Sequence, residues 1–321
     1  MQRELHVTTV QFQHRASDKH YNLARVEDLA RQASEKGAQL VLMPEMCVTG
    51  YWHIPRLSDE SLLALAEPED GPSLDRISKL ASELGIAIGV GWLERDVSGR
   101  MYNAYRLCLA DGGGHTHRKL HAFEHPLIHS GANYTVFDTP WGVRMAILIC
   151  LNNNLIENAR ACALLGAEVL LAPHQTGGTL SRSPHGMRPI PLSLWDQRET
   201  APEALRDAFA GPNGRGWLMR WLPARAHDNG MFVIFSNGVG RDEEEIRTGN
   251  AMILDPYGRI VAESNSITDD IVTATLDLDL VASSNGRRWM TGRRPELYDV
   301  LIERRGNERS ARAMRFDLSE N

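Results

Sequence analysis

One stretch constrains the fold more than any other: residues 143–166, VRMAILICLNNNLIENARACALLG. Residues 145–149 form a continuous apolar run, the pattern of a strand buried on both faces. The run ends on Cys150, Leu151 and three asparagines follow, and residues 156–165 carry apolar side chains at helical spacing. Strand, tight polar turn and helix together set the thiol on a sharp corner at the end of a sheet. Such a corner exposes the sulfur and turns the first unpaired amides of the helix towards whatever the sulfur attacks. The helix N-terminus also predicts a thiol pKa below its reference value of about 8.5. A core cysteine that happens to end a strand fits this stretch equally well, since free cysteines are among the most buried residues. The rest of the chain decides between the two.

Residues 5–12 read as a first strand. Asp18 precedes a helical pattern through Leu23, Val26, Leu29, Ala30 and Ala33, closed by Gly37. Residues 39–43 read as a buried strand that Pro44 ends, because proline cannot donate to a central ladder. Strand, helix and strand within about forty-five residues is the βαβ signature. It puts Glu45 at the C-terminal end of a parallel strand, where open α/β sheets place their chemistry. A turn-rich aromatic loop with Tyr51 and Trp52 follows. Ser73 is expected to cap a helix running to Gly85, and residues 86–92 and 103–109 pair as a hairpin. HTHRKLHAFEHPLIHSG then leads towards the cysteine strand, and residues 168–172 give the next buried strand.

From 174 to 223 prolines and glycines interleave with Trp195, Trp217 and Trp221. This reads as an insertion of loops and short helices over the sheet edge, either a lid or a structural flap. Residues 217–229 predict a helix kinked near Pro223. Strands follow at 231–236 and 271–276, with a hairpin of 250–254 and 259–263 between them. Residues 243–245, three glutamates, read as a solvated turn. The segment 286–321 is an arginine-rich extension that wraps a neighbouring subunit or stays mobile.

Composition removes several function classes. The chain has 321 residues, 42% hydrophobic and 24% charged, enough for a large core in an ordinary soluble protein. A net charge of −6 argues against a nucleic-acid or membrane-surface partner. No apolar run approaches the roughly 18 residues that cross a bilayer. The N-terminus lacks a basic stretch before an apolar core, so no signal peptide is expected. The four cysteines, at 47, 108, 150 and 162, have no close paired spacing and point to reduced thiols in the cytoplasm.

Glu45, Lys119 and Cys150 thus sit at the ends of separate strands or in their loops, and their types form an acyl-transfer set. A thiolate attacks a carbonyl or nitrile carbon. A carboxylate whose pKa is raised by burial takes the thiol proton and later activates water. An ammonium beside the developing oxyanion, together with a backbone amide after the cysteine, stabilises charge.

At these residues the chain resembles the nitrilase superfamily, the carbon–nitrogen hydrolases, over nearly its whole length. LVLMPEMCVTGY resembles the segment of the general base and assigns that role to Glu45; RKLH assigns the lysine role to Lys119. ILIC, followed by ENARACALLGAEVLLAP, resembles the nucleophile elbow and its helix, with Cys150 as nucleophile. EHPLIHSG resembles the element of the supporting glutamate, which makes Glu124 the candidate. WLPARAHDNGMFVIFSNGVG, GNAMILDPYGRI and RRPELY resemble the later strands and closing segment. The resemblance implies an α/β fold, a four-layer α-β-β-α sandwich in a single domain, with residues 1–285 as the hydrolase domain. It further implies a thioester intermediate, no cofactor, no metal, and a homodimer or larger homo-oligomer.

Two departures stand out. After the nucleophile the family often has an aromatic and then an acidic residue; here Leu151 and Asn152 occupy those places. True nitrile hydrolysers usually carry Trp-Glu there, so hydrolysis of a small-molecule amide or N-carbamoyl compound is favoured over nitrile hydrolysis. The Leu151 amide still serves the oxyanion, while Tyr51, Trp52, His174, Gln175 and Trp195 are candidate pocket walls. Rival readings are a weak or non-catalytic member of the fold and an acyltransferase with an amine acceptor. A zinc hydrolase is a third, because His121, His125 and His129 would share a face if 121–129 were helical. Pro126 opposes that helix, and the loop histidines (with His115 and His117) are expected to be solvated, with a place in the pocket wall as the alternative for His125 or His129. A papain-like peptidase lacks its cysteine signature here.

Overall fold

The computed structural model describes residues 3–317. The first two residues and the last four of the 286–321 extension lie outside that range. The first sheet contains β1 (Glu4–Phe12), β2 (Leu40–Leu42), β3 (Ala87–Arg95), β4 (Met101–Cys108) and β5 (Gly114–Arg118), with the short β6 (Ile128–His129) beside β4. The second is built on β7 (Thr135–Asp138), β8 (Arg144–Ile147), β9 (Val169–Pro173) and β10 (Phe232–Asp242). On the β10 side it continues into β11 (Glu245–Thr248), β12 (Met252–Leu254) and β13 (Ile260–Glu263); β14 (Asp270–Asp277) returns antiparallel to β1. Each half has a parallel centre, β1–β2–β3 and β8–β9–β10, flanked by antiparallel strands. The halves join where Gln11 and Phe12 of β1 pair in parallel with Asn237 and Gly238 of β10.

Side-chain alternation builds the layers. Odd positions of β1 (Leu5, Val7) meet Met145, Ile147, Leu171 and Ile234 between the sheets, while Val10 and Phe12 face outward to the helix Lys19–Glu35. That helix starts on Asp18, whose side chain accepts from the Tyr21 N–H, and it buries Leu23, Val26, Leu29, Ala30 and Ala33. On the other flank Ala146, Leu148 and Leu170 pack outward against Ala159 and Cys162 of the helix Ile156–Leu164 and against Leu222 and Ala226. Helix, sheet, sheet, helix: the expected four layers are present in one domain.

Several local expectations change. The helix Pro72–Leu84 is capped at Gly71, and Ser73 sits buried in its first turn, where its N–H donates to the Glu67 carboxylate. A helix at Asp59–Leu65, started by Ser58, went unanticipated. Residues 217–229 form two short helices, Arg215–Leu218 and Leu222–His227, with Pro223 in the first turn of the second, where its missing N–H costs nothing. His117 is fully buried on β5 and His125 nearly so; neither is a solvated loop residue. Glu245 is buried too, ion-paired with Arg247 at 2.8 Å.

Gly91 on β3 lets the Glu45 turn approach: a Cβ there would lie 2.2 Å from the Met46 nitrogen and 2.9 Å from the Glu45 carbonyl carbon. Gly91→Ala is expected to cost about 1–3 kcal/mol through overpacking, read from the midpoint of urea unfolding.

Candidate functional site

The polar residues converge because each follows the end of a strand. Glu45 comes three residues after β2, Lys119 directly after β5, and Cys150 on the 3-10 turn Cys150–Asn153 beyond β8. Two backbones there are strained: Met46 has φ 48° and Cys150 φ 47°, left-handed values that side chains rarely adopt.

The Lys119 ammonium is wholly buried between two equally buried carboxylates. Its Nζ donates to Glu45 Oε1 at 2.7 Å and to Glu124 Oε1 at 2.5 Å. Asn103 of β4 donates Nδ2 to the same two oxygens, at 2.7 and 2.9 Å. The glutamates then differ. Glu124 Oε1 also accepts from the Tyr51 hydroxyl at 3.4 Å and Oε2 from the Phe123 N–H at 2.9 Å, so both oxygens are occupied. Glu45 Oε2 is buried with no partner. Burial raises the Glu45 pKa, Lys119 only partly opposing it and the Glu124 charge adding to it. Burial acts the same way on Glu124, but Lys119 and its hydrogen bonds hold that carboxyl below the usual range. Burial alone would lower the Lys119 pKa; Glu124 and Glu45 outweigh it and keep the ammonium charged.

Cys150 interacts electrostatically with all three. Its side chain is almost buried, and its thiol is pushed up to about 12 by burial and by the Glu45 charge, with Lys119 opposing. The expectation of a lowered thiol pKa is therefore reversed: desolvation outweighs a short 3-10 turn that has only a few free amides to offer.

Asn152 is buried and spends its side chain on the lysine segment. Its Oδ1 accepts from the Leu120 N–H at 3.1 Å and its Nδ2 lies 3.1 Å from His121 Nδ1, tying the cysteine turn to the lysine segment. Asn153 donates to the Leu148 carbonyl at 2.6 Å, and Arg225 donates to the carbonyls of Asn153 and Asn154 at 2.6 and 3.0 Å.

A cavity of about 420 Å³ opens on Cys150. Tyr51, Trp52, Leu151 and Gln175 line it, together with Phe123, residues of the 174–223 segment such as Met187 and Trp217, and Met314 and Arg315 of the helix Ala311–Phe316. His174 and Trp195 do not. His174 stacks on Trp221, lies tilted against Phe235 and meets Asn153 at 3.0 Å; Trp195 packs with Leu205, Phe209 and Ile246. Apolar packing claims both rings. Among the described residues no group of three or more His, Cys, Asp or Glu is placed to hold a metal ion, and no helix is long and apolar enough to cross a membrane.

Sequence reasoning missed Asn103, Arg225 and Arg247. Asn103 had a signal, a lone amide inside the apolar strand MYNAYRLC. Arg247 is 1% exposed and pairs with Asp242 at 3.0 Å and Glu245 at 2.8 Å. Burial pushes the Asp242 carboxyl up, but His14 and Arg247 hold it far below the usual carboxylate range. Arg247→Met strands two buried carboxylates and is expected to lower stability by about 3–5 kcal/mol, measured by chemical denaturation.

Comparison with known proteins adds to this geometry. The model of a family described as carbon-nitrogen hydrolase matches residues 6–203 and 208–285. A Pseudomonas protegens protein described as "Hydrolase in pqqF 5'region" is 32% identical over 288 residues, covering 88% of this chain and 87% of its own length. N-carbamoylputrescine amidase of Arabidopsis thaliana is 29% identical over 323 residues, covering 95% and 97%. Saccharomyces cerevisiae Nit3, a member of branch 10 of the nitrilase superfamily, superposes with a TM-score of 0.67 at 23% identity, over 88% of this chain and 93% of its own.

Proposed function

The chain belongs to the carbon–nitrogen hydrolases, which act on C–N bonds other than peptide bonds, and from that premise we propose that it hydrolyses the amide or N-carbamoyl bond of a small molecule through a thioester on Cys150. The observation that carries the mechanism is the asymmetry of the glutamates: one has a raised pKa and a buried, unpartnered Oε2, the other is saturated. Glu45 is the general base, and Glu124 positions Lys119.

With a thiol near 12, little free thiolate exists at neutral pH. The sulfur therefore loses its proton to Glu45 Oε2 as it attacks. The S–C bond forms, the carbonyl π electrons move to oxygen, and the oxyanion is held by Lys119 Nζ and the Leu151 N–H. Collapse breaks the C–N bond as Glu45 returns the proton to the departing nitrogen. Water then adds to the thioester, giving its proton to Glu45, and the second collapse releases acid and restores the thiol. Asn152 is compatible with this route, because its side chain braces the Lys119 segment and leaves the sulfur's surroundings to Glu45 and Lys119.

Residues 1–285 carry this activity, in the cytoplasm, where four unpaired cysteines stay reduced. The extension also serves association into a homodimer. Leu301 and Ile302 are 63% and 85% exposed, and Tyr298 and Arg293 lie near Arg160 of the helix Ile156–Leu164, whose Ile156 and Leu164 are exposed as well. Sedimentation velocity is expected to give a dimer that Leu301→Glu/Ile302→Glu converts to monomer; a monomeric parent rejects the assignment.

Cys150→Ala is expected to stay folded and lose all turnover, while mass spectrometry of the parent with a cognate amide shows an acyl adduct on Cys150. Lys119→Ala is expected to remove about 3–4 kcal/mol of transition-state stabilisation, by analogy with a lost oxyanion donor. The base works as its carboxylate, so kcat/KM should fall as pH drops through a Glu45 pKa raised above the ordinary value of about 4.3. Glu45→Gln should lose at least about a hundredfold in rate. A profile flat down to pH 4 takes the base role from Glu45.

A further inference from the structure

We propose that the cavity selects amides bearing a second, anionic group, a carboxylate held between the guanidinium groups of Arg247 and Arg315 where they converge on Trp52. This deepens the hydrolase reading and rests on it for the reacting end of the substrate.

Arg247 supplies the first observation. Nε donates to Asp242, Nη1 reaches Glu245 at 2.8 Å and Thr179 Oγ1 at 3.0 Å, and Nη2 is buried with no partner. The guanidinium cannot be deprotonated, and a buried donor without an acceptor is costly. Since Arg247 lines the cavity, its occupant is the natural source of that acceptor.

Arg315 supplies the second. The helix Ala311–Phe316 folds back over the cavity mouth: Arg312 donates to the Phe123 carbonyl at 2.8 Å, and Arg315 Nη1 to the Leu180 carbonyl at 3.1 Å. Among the described residues no carboxylate lies within ion-pairing distance of Arg315. Its Cζ lies 5.6 Å from the Trp52 ring centre, and that of Arg247 lies 5.3 Å from the same ring. Two guanidinium groups thus approach one indole: Arg247 keeps an unpartnered donor although Asp242 and Glu245 balance its charge, and Arg315 keeps a charge that no described carboxylate offsets. The third lining arginine, Arg182, pairs with Asp317 at 3.4 Å.

The third observation is the donor set of the wall, in which Arg315 is the lining arginine without a carboxylate partner among the described residues. The lining holds three arginines and neither aspartate nor glutamate; Leu151, Met187, Trp217 and Met314 are among its apolar members. Tyr51 links the two ends, with Lys119 Nζ 5.7 Å and Arg247 Cζ 5.4 Å from its ring centre. A half-amide of a dicarboxylic acid fits: a neutral amide at Cys150, an apolar body, and a planar acceptor matched to the guanidinium fork. An amine at the far end meets the unpaired charge of Arg315 and a second donor where it needs an acceptor.

Matched primary amides test this: succinamate, glutaramate and adipamate, their methyl esters, and 5-aminopentanamide. The best acid amide should exceed its ester at least about tenfold in kcat/KM, with the amino amide lowest. Arg315→Gln should shrink that acid-to-ester ratio about tenfold, mainly through KM, and 0.5 M NaCl should shrink it too. Equal or better turnover of the esters, or a ratio unmoved by Arg315→Gln, overturns the subsite and leaves the hydrolase standing. Calorimetric binding to Cys150→Ala separates the two proposals. Acid-selective binding that the added Arg315→Gln removes, with no turnover by the parent, keeps the subsite and sinks the hydrolase reading. No binding and no turnover of any of these compounds sinks the subsite as well.

Discussion

The buried ion cluster of Lys119 with Glu45 and Glu124 is the interaction on which the site depends. An ammonium with no exposed surface survives only if the carboxylates around it return what desolvation removes. Two carboxylates around one cation leave an excess negative charge when both are ionised. The structure places that excess unequally. Glu124 takes the backbone N–H and the tyrosine hydroxyl, and Glu45 keeps one oxygen bare. One glutamate is thereby pinned as a counter-ion, while the other can exchange a proton without breaking a hydrogen bond at that oxygen.

Topology delivers these groups to one place. Parallel strands β2 and β8 end on the same side, and the chain leaves each through a left-handed residue, Met46 or Cys150. Tertiary contacts hold that strain: Gly91 clears space for the first turn, while Asn152, Asn153 and Arg225 fasten the second to its neighbours. Four layers of packing surround the two turns, so a tight, polar site sits on rigid supports.

Most of the layering was legible in the sequence, because the runs 145–149 and, after Gln39 and Glu168, 40–43 and 169–172 are short, apolar and bounded by turn residues, the pattern of strands buried on both faces. The positions of Glu45, Lys119 and Cys150 were legible for the same reason, each standing just past such a run or its hairpin. Asp59–Leu65 was missed because seven residues give too little periodicity, and Ser73 misled because Glu67, six residues earlier, accepts the N–H that helix start leaves free. His117 and Glu245 read as solvated because polarity is local, whereas their burial comes from strands distant in the chain. The thiol was misjudged on a similar ground: a pattern reveals a helix end but says nothing of how much water the fold removes. His174 and Trp195, each near a loop that borders the cavity, belong to packing clusters on its flanks.

That dehydrated thiol has a consequence outside the catalytic cycle. Peroxides and alkylating agents attack thiolate, and a thiol pushed up to about 12 by burial presents little of it near neutral pH. The resting site is in this sense chemically quiet.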